Sequence, residues 1–291
     1  MVRFFFKTWN RYFPTVGNLA FSSFLIAVIS GIPLAIPYQL SRAFDSLQVL
    51  LLTNPAGVFF RAAHYWSGQL FVLFTVAHII EHLSEKKERD LESGVWLRLI
   101  LALLAAMFVM LSGFILKADG EGIMARQILN GLLGVVPVIG ENLRLLVLGP
   151  EKSLRLIYLH HLMTTTFFIW VVIIEHVRRV WPEILSFVYI FAIVTIFAIL
   201  SPPGLLLLSA SVIRGPWYFI GLQELLHWIP DSLIVIGILT VCLSLFSLVR
   251  WVNPIKAQKI KRMLVVFLIL YAALTLNNWG FRDGNWNQLF L

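Results

Sequence analysis

The chain has 291 residues, 59% of them hydrophobic and 13% charged, with a mean hydropathy of +0.85. Apolar runs of about 20 residues recur along it, which excludes a water-soluble domain, and they are apolar all round, which excludes a β-barrel of alternating strands. The formal charge of +8 raises nucleic acid as a partner, but the basic residues sit in short segments between apolar runs, so they set membrane orientation and not nucleic-acid binding.

In chain order, the opening "MVRFFFKTWNRYFP" is basic and aromatic, with Pro14 and no small-residue cleavage site. It reads as an interfacial segment that stays attached, not as a removed signal peptide. Seven spans are expected, over Gly17–Tyr38, Gly57–Leu83, Val95–Lys117, Leu154–Val177, Ile184–Leu200, Leu233–Val252 and Met263–Asn277. Successive loops then alternate sides. On the amino-terminal side fall Arg3, Lys7, Arg11, Lys86, Lys87, Arg89, Arg98, Arg178, Arg179, Arg250, Lys256, Lys259, Lys261 and Arg262, the larger part of the 23 basic residues. That side is expected to be cytoplasmic, with the C-terminus outside. Cys242, alone within the sixth span, can form no internal disulfide and has no nearby metal-ligand spacing; it reads as a small packing residue.

The seven histidines carry the chemistry. His82 is expected at the cytoplasmic headgroup level and His227 in an outer loop. His64 and His78 share the second span, while His160, His161 and His176 share the fourth. Fourteen residues of α-helix are about 21 Å of rise and about −40° of rotation, so His64 and His78 leave nearly one face. His161 to His176 gives about 22 Å and about +60°, still broadly one face, whereas His160 to His176 gives about 160°. Geometry therefore selects His161, with His160 as the alternative. Both spans run inward, so His64 and His161 lie towards the outside and His78 and His176 towards the cytoplasm. Neutral imidazole is a good axial ligand for iron, and two facing pairs suit two stacked bis-histidine haems. A lone intramembrane histidine would instead read as a hydrogen-bonding residue or proton relay.

The stretches "GNLAFSSFLIAVISGIPLAIPY" (Gly17–Tyr38), "AFDSL" (Ala43–Leu47), "GVFFRAAHYWSG" (Gly57–Gly68), "SGF" (Ser112–Phe114), "VPVIG" (Val136–Gly140), "LRLIYLHH" (Leu154–His161) and "GPWYF" (Gly215–Phe219) resemble cytochrome b of the quinol-oxidising cytochrome bc complexes. The resemblance runs in order over nearly the whole chain. It implies an all-α integral membrane fold of about seven transmembrane helices: a four-helix di-haem bundle over 1–181, then three helices over 182–291 that contribute the outer quinol site. It implies two b-type haems, held by His64 and His161 outside and by His78 and His176 inside. No cysteine in the first span offers a covalent haem attachment, so both haems are expected to be non-covalent. Gly17, Gly31 and Gly113 match glycines that let a porphyrin lie against a helix, and Arg61 matches an arginine that pairs with a propionate.

Departures from the family pattern accompany these matches. Leu99 stands where a further glycine is usual. Glu81 replaces a basic residue after the second ligand, leaving Arg178 or Arg179 for the inner propionates. Arg155 precedes His160 by the family's usual interval, which favours His160 over His161; a local helix irregularity would reconcile the two. Pro216 occupies the place of the glutamate in the family's PEWY motif. If the segment after Trp217 is helical, Glu224 returns to the same face two turns later. Glu224 is thus the candidate proton acceptor for quinol, with Tyr218 or His227 assisting.

The implied activity is that of a quinol:electron-acceptor oxidoreductase subunit, oxidising quinol outside and reducing quinone, menaquinone or ubiquinone, near the cytoplasmic face. A Rieske-type iron–sulfur protein, a cytochrome c-type subunit and a second copy of the chain are the implied partners; one cysteine builds no iron–sulfur cluster here. The alternative is a di-haem anchor of another menaquinol-linked complex with no bifurcating outer site. A haem-free transporter using the histidines as proton relays is a further alternative.

Overall fold

Pro14 and Thr15 end one helix and start the next: the Thr15 hydroxyl accepts from the Asn18 amide at 3.4 Å and caps the first long apolar run. The computed structural model describes residues 2–151, 153–206 and 213–281. Every regular element among them is helical. In chain order these are α1 (Val2–Tyr12), α2 (Val16–Ala35), α3 (Ala43–Thr53), α4 (Pro55–Glu85), α5 (Ser93–Leu116), α6 (Gly120–Gly134) and α7 (Gly140–Leu148). Then follow α8 (Arg155–Val177, interrupted by a π turn at His160–Thr164), α9 (Ile184–Leu200), α10 (Trp217–Trp228), α11 (Ser232–Leu248) and α12 (Pro254–Phe281).

Each predicted span coincides with a helix to within a few residues, the last one excepted, where the helix starts earlier. By length and composition, α2, α5, α8 and α12 are each able to cross a membrane. The segment Leu40–Thr53 joins α4 at a bend of 118°, and the two pass that test together; α9 and α11 are shorter, at 17 residues each. Asn54 caps α4, accepting from the Gly57 amide at 3.0 Å, with Pro55 in the first turn where its missing N–H costs nothing. The run Lys256–Arg262, read from sequence as a loop, belongs to α12. Asn253 accepts from the Lys256 amide at 2.9 Å, and Lys, Gln, Ala and Arg are good helix formers once started.

The chain divides into two compact units. One comprises Met1–Met110 with Leu159–Leu205, the other Leu111–Tyr158 with Leu206–Leu291. In the first, α2 lies along α4 and α9 covers both, around Leu19, Ile26, Ala62, Ala63, Ile190 and Val194. A second cluster of Phe21, Phe24, Phe71, Ala106, Val109 and Ile169 joins α2, α4, α5 and α8. Small residues let α2 and α4 approach, and the buried Ser23, Ser30 and Ser67 hydroxyls donate back to the carbonyls of Leu19, Ile26 and Ala63 at 2.8, 2.6 and 2.7 Å. Their polarity is thus satisfied within the helix. In the second unit α10 packs on α12, and Val265, Val266, Leu268 and Ile269 of α12 remain exposed, an apolar surface of the kind lipid covers.

Candidate functional site

His64 projects from α4 and His161 from α8, with ring centroids 6.0 Å apart and planes at 78°. Two imidazoles on opposite sides of one metal, each nitrogen about 2 Å from it, put their centroids about 6 Å apart. Each ring is fixed from behind. His64 Nδ1 lies 2.8 Å from the Ala27 carbonyl of α2, and His161 Nδ1 lies 3.0 Å from the Val109 carbonyl of α5. A carbonyl only accepts, so both Nδ1 atoms carry the proton and donate. In that tautomer Nε2 is the ring nitrogen able to ligate a metal, which is the usual arrangement of a ligating histidine with its other nitrogen bonded behind it. A Cβ on Gly31 would stand 3.0 Å from His64 Cε1 and 3.1 Å from Nδ1. Only glycine lets α2 lie this close to the ring.

The His160/His161 alternative has a local cause. Over His160–Thr164 the helix widens into a π turn, and the Thr165 amide bonds the His160 carbonyl five residues back. Such a turn inserts about one residue, so the fifteen from His161 to His176 advance like the fourteen from His64 to His78. The Thr165 and Thr166 hydroxyls donate to the His160 and His161 carbonyls, each at 2.5 Å, and satisfy groups the widened turn loosens. His161 faces His64, while the His160 ring packs against Phe108 at 5.9 Å.

At the other end of α4, the His78 and His176 rings stand 6.3 Å apart at 66°. A Cβ on Gly17 would fall 2.8 Å from His78 Cε1, so α2 approaches this ring as it does His64, fourteen residues on. His78 Nδ1 is buried with no hydrogen-bond partner; the nearest Glu81 carboxylate oxygen is 3.5 Å away. His82, expected at the headgroup level, joins this group instead: one ring nitrogen from each of His78, His82 and His176 lies within 4.8 Å of the others. Arg98 of α5 grips Glu175 through two hydrogen bonds, at 2.8 and 2.5 Å, beside His176.

Two matched pairs of imidazoles, glycine-cradled on α2 and backed by carbonyls at His64 and His161, fit haem by donor chemistry, spacing and access. Comparison with known proteins agrees. A sequence profile for the family described as cytochrome b/b6/petB matches residues 5–184, more than half of the chain. The chain belongs to the cytochrome b family. It is similar to cytochrome b6 of Auxenochlorella protothecoides, 28% identical over 173 residues, covering 56% of this chain and 79% of that one. It is 32% identical over 143 residues to cytochrome b6 of Gracilaria tenuistipitata var. liui, covering 47% and 65%. Among solved structures, a chain of a hyperthermophilic respiratory Complex III superposes with a TM-score of 0.68 at 18% identity, covering 94% of this chain and 85% of that one. That likeness extends the cytochrome b fold beyond the segment the family profile matches. Membership in the cytochrome b family makes this an integral membrane protein of electron transport.

The remaining predicted residues are distributed over both units. Arg61 is buried three residues before His64, and its guanidinium donates to the carbonyls of Pro203 and, at 3.0 Å, Gly204. Gly113 lies half-buried on α5. Arg179 donates to Asn18 at 2.8 Å, and Asn18 in turn donates to Glu183 at 3.0 Å, which ties α2 to the α8–α9 connection. Glu224 and Tyr218 belong to the second unit. The segment after Trp217 is helical, as the spacing required. Glu224 has no exposed surface and accepts from Trp228 Nε1 at 2.6 Å, Asn277 Nδ2 at 2.8 Å and Asn278 Nδ2 at 2.9 Å. Tyr218 is buried, and its carbonyl accepts from the Tyr271 hydroxyl at 2.5 Å. His227 is exposed.

Sequence reasoning missed His82 as a site residue. Its signal was present: four residues after His78 is one helical turn, on the same face.

Proposed function

We propose that this chain is the quinol-linked electron-transfer subunit of a bc-type complex, in which His64 and His161 would hold an outer b-type haem and His78 and His176 an inner one. The observation that carries this is the pair of facing imidazoles at ligand spacing, repeated along one helical bundle. Haem, when bound, supplies reversible one-electron transfer at each level. The chain's own residues do the rest. A pair of imidazoles at each level would favour electron transfer over oxygen binding by a haem held there. The Nδ1–H bonds to Ala27 and Val109 fix ring orientation and raise ligand basicity. Gly17 and Gly31 keep side chains off the His78 and His64 rings, Gly113 matches a family glycine with the same part, and the buried Arg61 guanidinium is suited to a propionate.

Glu224 takes the proton from quinol in this reading, with Tyr218 or His227 beside it on α10. Its support is a carboxylate buried among neutral donors, where two neighbouring amides and an indole hold it for proton exchange. Of the two electrons of each quinol, the first would go to a Rieske-type iron–sulfur protein and onward to a cytochrome c-type subunit, and the second towards the cytoplasmic face. There two such electrons, from two quinol oxidations, and two protons convert one quinone to quinol. The complex is dimeric, with the N-terminus of this chain cytoplasmic and its C-terminus outside. Quinol:cytochrome c reductase activity of the assembled complex, blocked by outer-site quinol analogues, tests the proposal. A second reading has support in Pro216, which stands where the family's outer-site glutamate is usual: a di-haem anchor of another menaquinol-linked complex. Intact haem spectra with turnover insensitive to those analogues select that second reading.

A further inference from the structure

The inner end of the bundle holds one more imidazole than two axial ligands need. His78 and His82 are four residues apart on α4, and their rings lie side by side with centroids 4.3 Å apart. Across from them stands His176 on α8, 6.3 Å from the His78 centroid and 6.1 Å from that of His82. Both separations are close to the 6.0 Å of the outer pair. The outer end has no such redundancy, because its ligand on α4 is followed one turn later by Gly68.

The ring nitrogens point the same way. At the outer pair each Nδ1 is bonded to a carbonyl, but Nδ1 of both His78 and His82 is buried with no hydrogen-bond partner. A buried imidazole nitrogen without a hydrogen bond is costly unless something binds it, and the Glu81 carboxylate stands off from His78 Nδ1 at 3.5 Å. Both rings stand across from His176, and a metal placed between them could take the lone pair of either one. A nitrogen from each of the three rings lies within 4.8 Å of the other two, and two nitrogens on opposite sides of one metal stand about 4 Å apart.

We infer that His82 is a second axial-ligand donor at the inner site, exchanging with His78 opposite His176. This rests on the di-haem reading above. The exchange alters no covalent bond in the chain. It replaces one imidazole nitrogen by another from the same face of α4, and bis-histidine ligation is kept in both arrangements. The inner haem therefore has two ligation states and the outer haem one.

The test uses the complete complex and reads haem content and spin state, not turnover. In H78A the ratio of protohaem to this chain should stay at about two, with both haems low-spin, and in H78A/H82A it should fall to about one while the outer low-spin signal persists. A high-spin or missing inner haem in H78A overturns the exchange. The outer haem reports whether each variant has assembled. If H78A does not assemble, oxidised wild-type complex decides: two inner-haem low-spin resonances that collapse to one in H82A are expected, and a single resonance unchanged by H82A is the refuting result. A wild-type ratio of about one, with stoichiometric zinc at the three histidines, would instead sink the di-haem reading itself.

Discussion

Gly31→Ala tests whether α2 is held against an iron-ligating ring. The new Cβ would meet His64 Cε1 at 3.0 Å and Nδ1 at 3.1 Å, where ordinary contact begins at 3.4 Å. The ring must retreat by a few tenths of an ångström. It cannot do so freely, because its Nδ1 proton is bonded at 2.8 Å to Ala27, one turn earlier on the same helix. Weakening that bond costs up to about 1 kcal/mol and overpacking at least about 1–2 more, so the bound state loses about 2–3 kcal/mol. That is a roughly 30- to 150-fold weaker hold, overlapping the loss of about 10- to 100-fold usual when a ligand's second-shell partner is disturbed. The assay is haem titration of the purified complex with cryogenic spectroscopy, the inner haem serving as internal reference. Gly131→Ala is the control, since nothing lies within 4 Å of that Cβ in the interior of α6, and it should stabilise by about 1 kcal/mol. Outer-haem affinity in G31A equal to wild type would refute the reasoning.

Other outcomes follow from the same geometry. H161A should lose the outer haem and keep the inner one, whereas H160A, whose ring packs on Phe108, should keep both; the reverse result in haem stoichiometry reverses the assignment. E224Q should cut quinol oxidation at least about tenfold with both haem spectra intact, and unaltered turnover rejects the proton-acceptor role. E224A should also destabilise the second unit by about 1–3 kcal/mol, because the buried Asn278 amide loses its acceptor and the more accessible Trp228 and Asn277 donors lose theirs; an unchanged thermal midpoint would contradict that network. Impermeant labelling of single cysteines should reach the 120–148 segment from outside and residues 86–90 only from the cytoplasm; the opposite pattern inverts the topology.

The long apolar helices and the histidine pairs were legible because each depends on a local regularity: span length, or a fixed rotation per residue. The uncertainty between His160 and His161 could not be resolved that way. It turned on one π turn, and a residue inserted into a helix leaves no compositional trace, although the paired Thr165 and Thr166 that stabilise it were in view. His82 was overlooked because its position near the end of α4 suggested water, while the structure turns it back into the bundle beside His78. The carbonyls of Ala27 and Val109 carry no sequence signal at all, since any residue supplies one. For Glu224 the helical spacing gave the face, but its donors Asn277 and Asn278 come from α12, more than fifty residues away.

The most direct measurement is a pyridine haemochrome assay on the isolated complex, combined with a redox titration of its visible spectrum. Two protohaems per chain, titrating as two separate low-spin components, are the expected result. Complex that carries no protohaem, or only one in every careful preparation, would contradict the proposal that four imidazoles of this chain hold two irons.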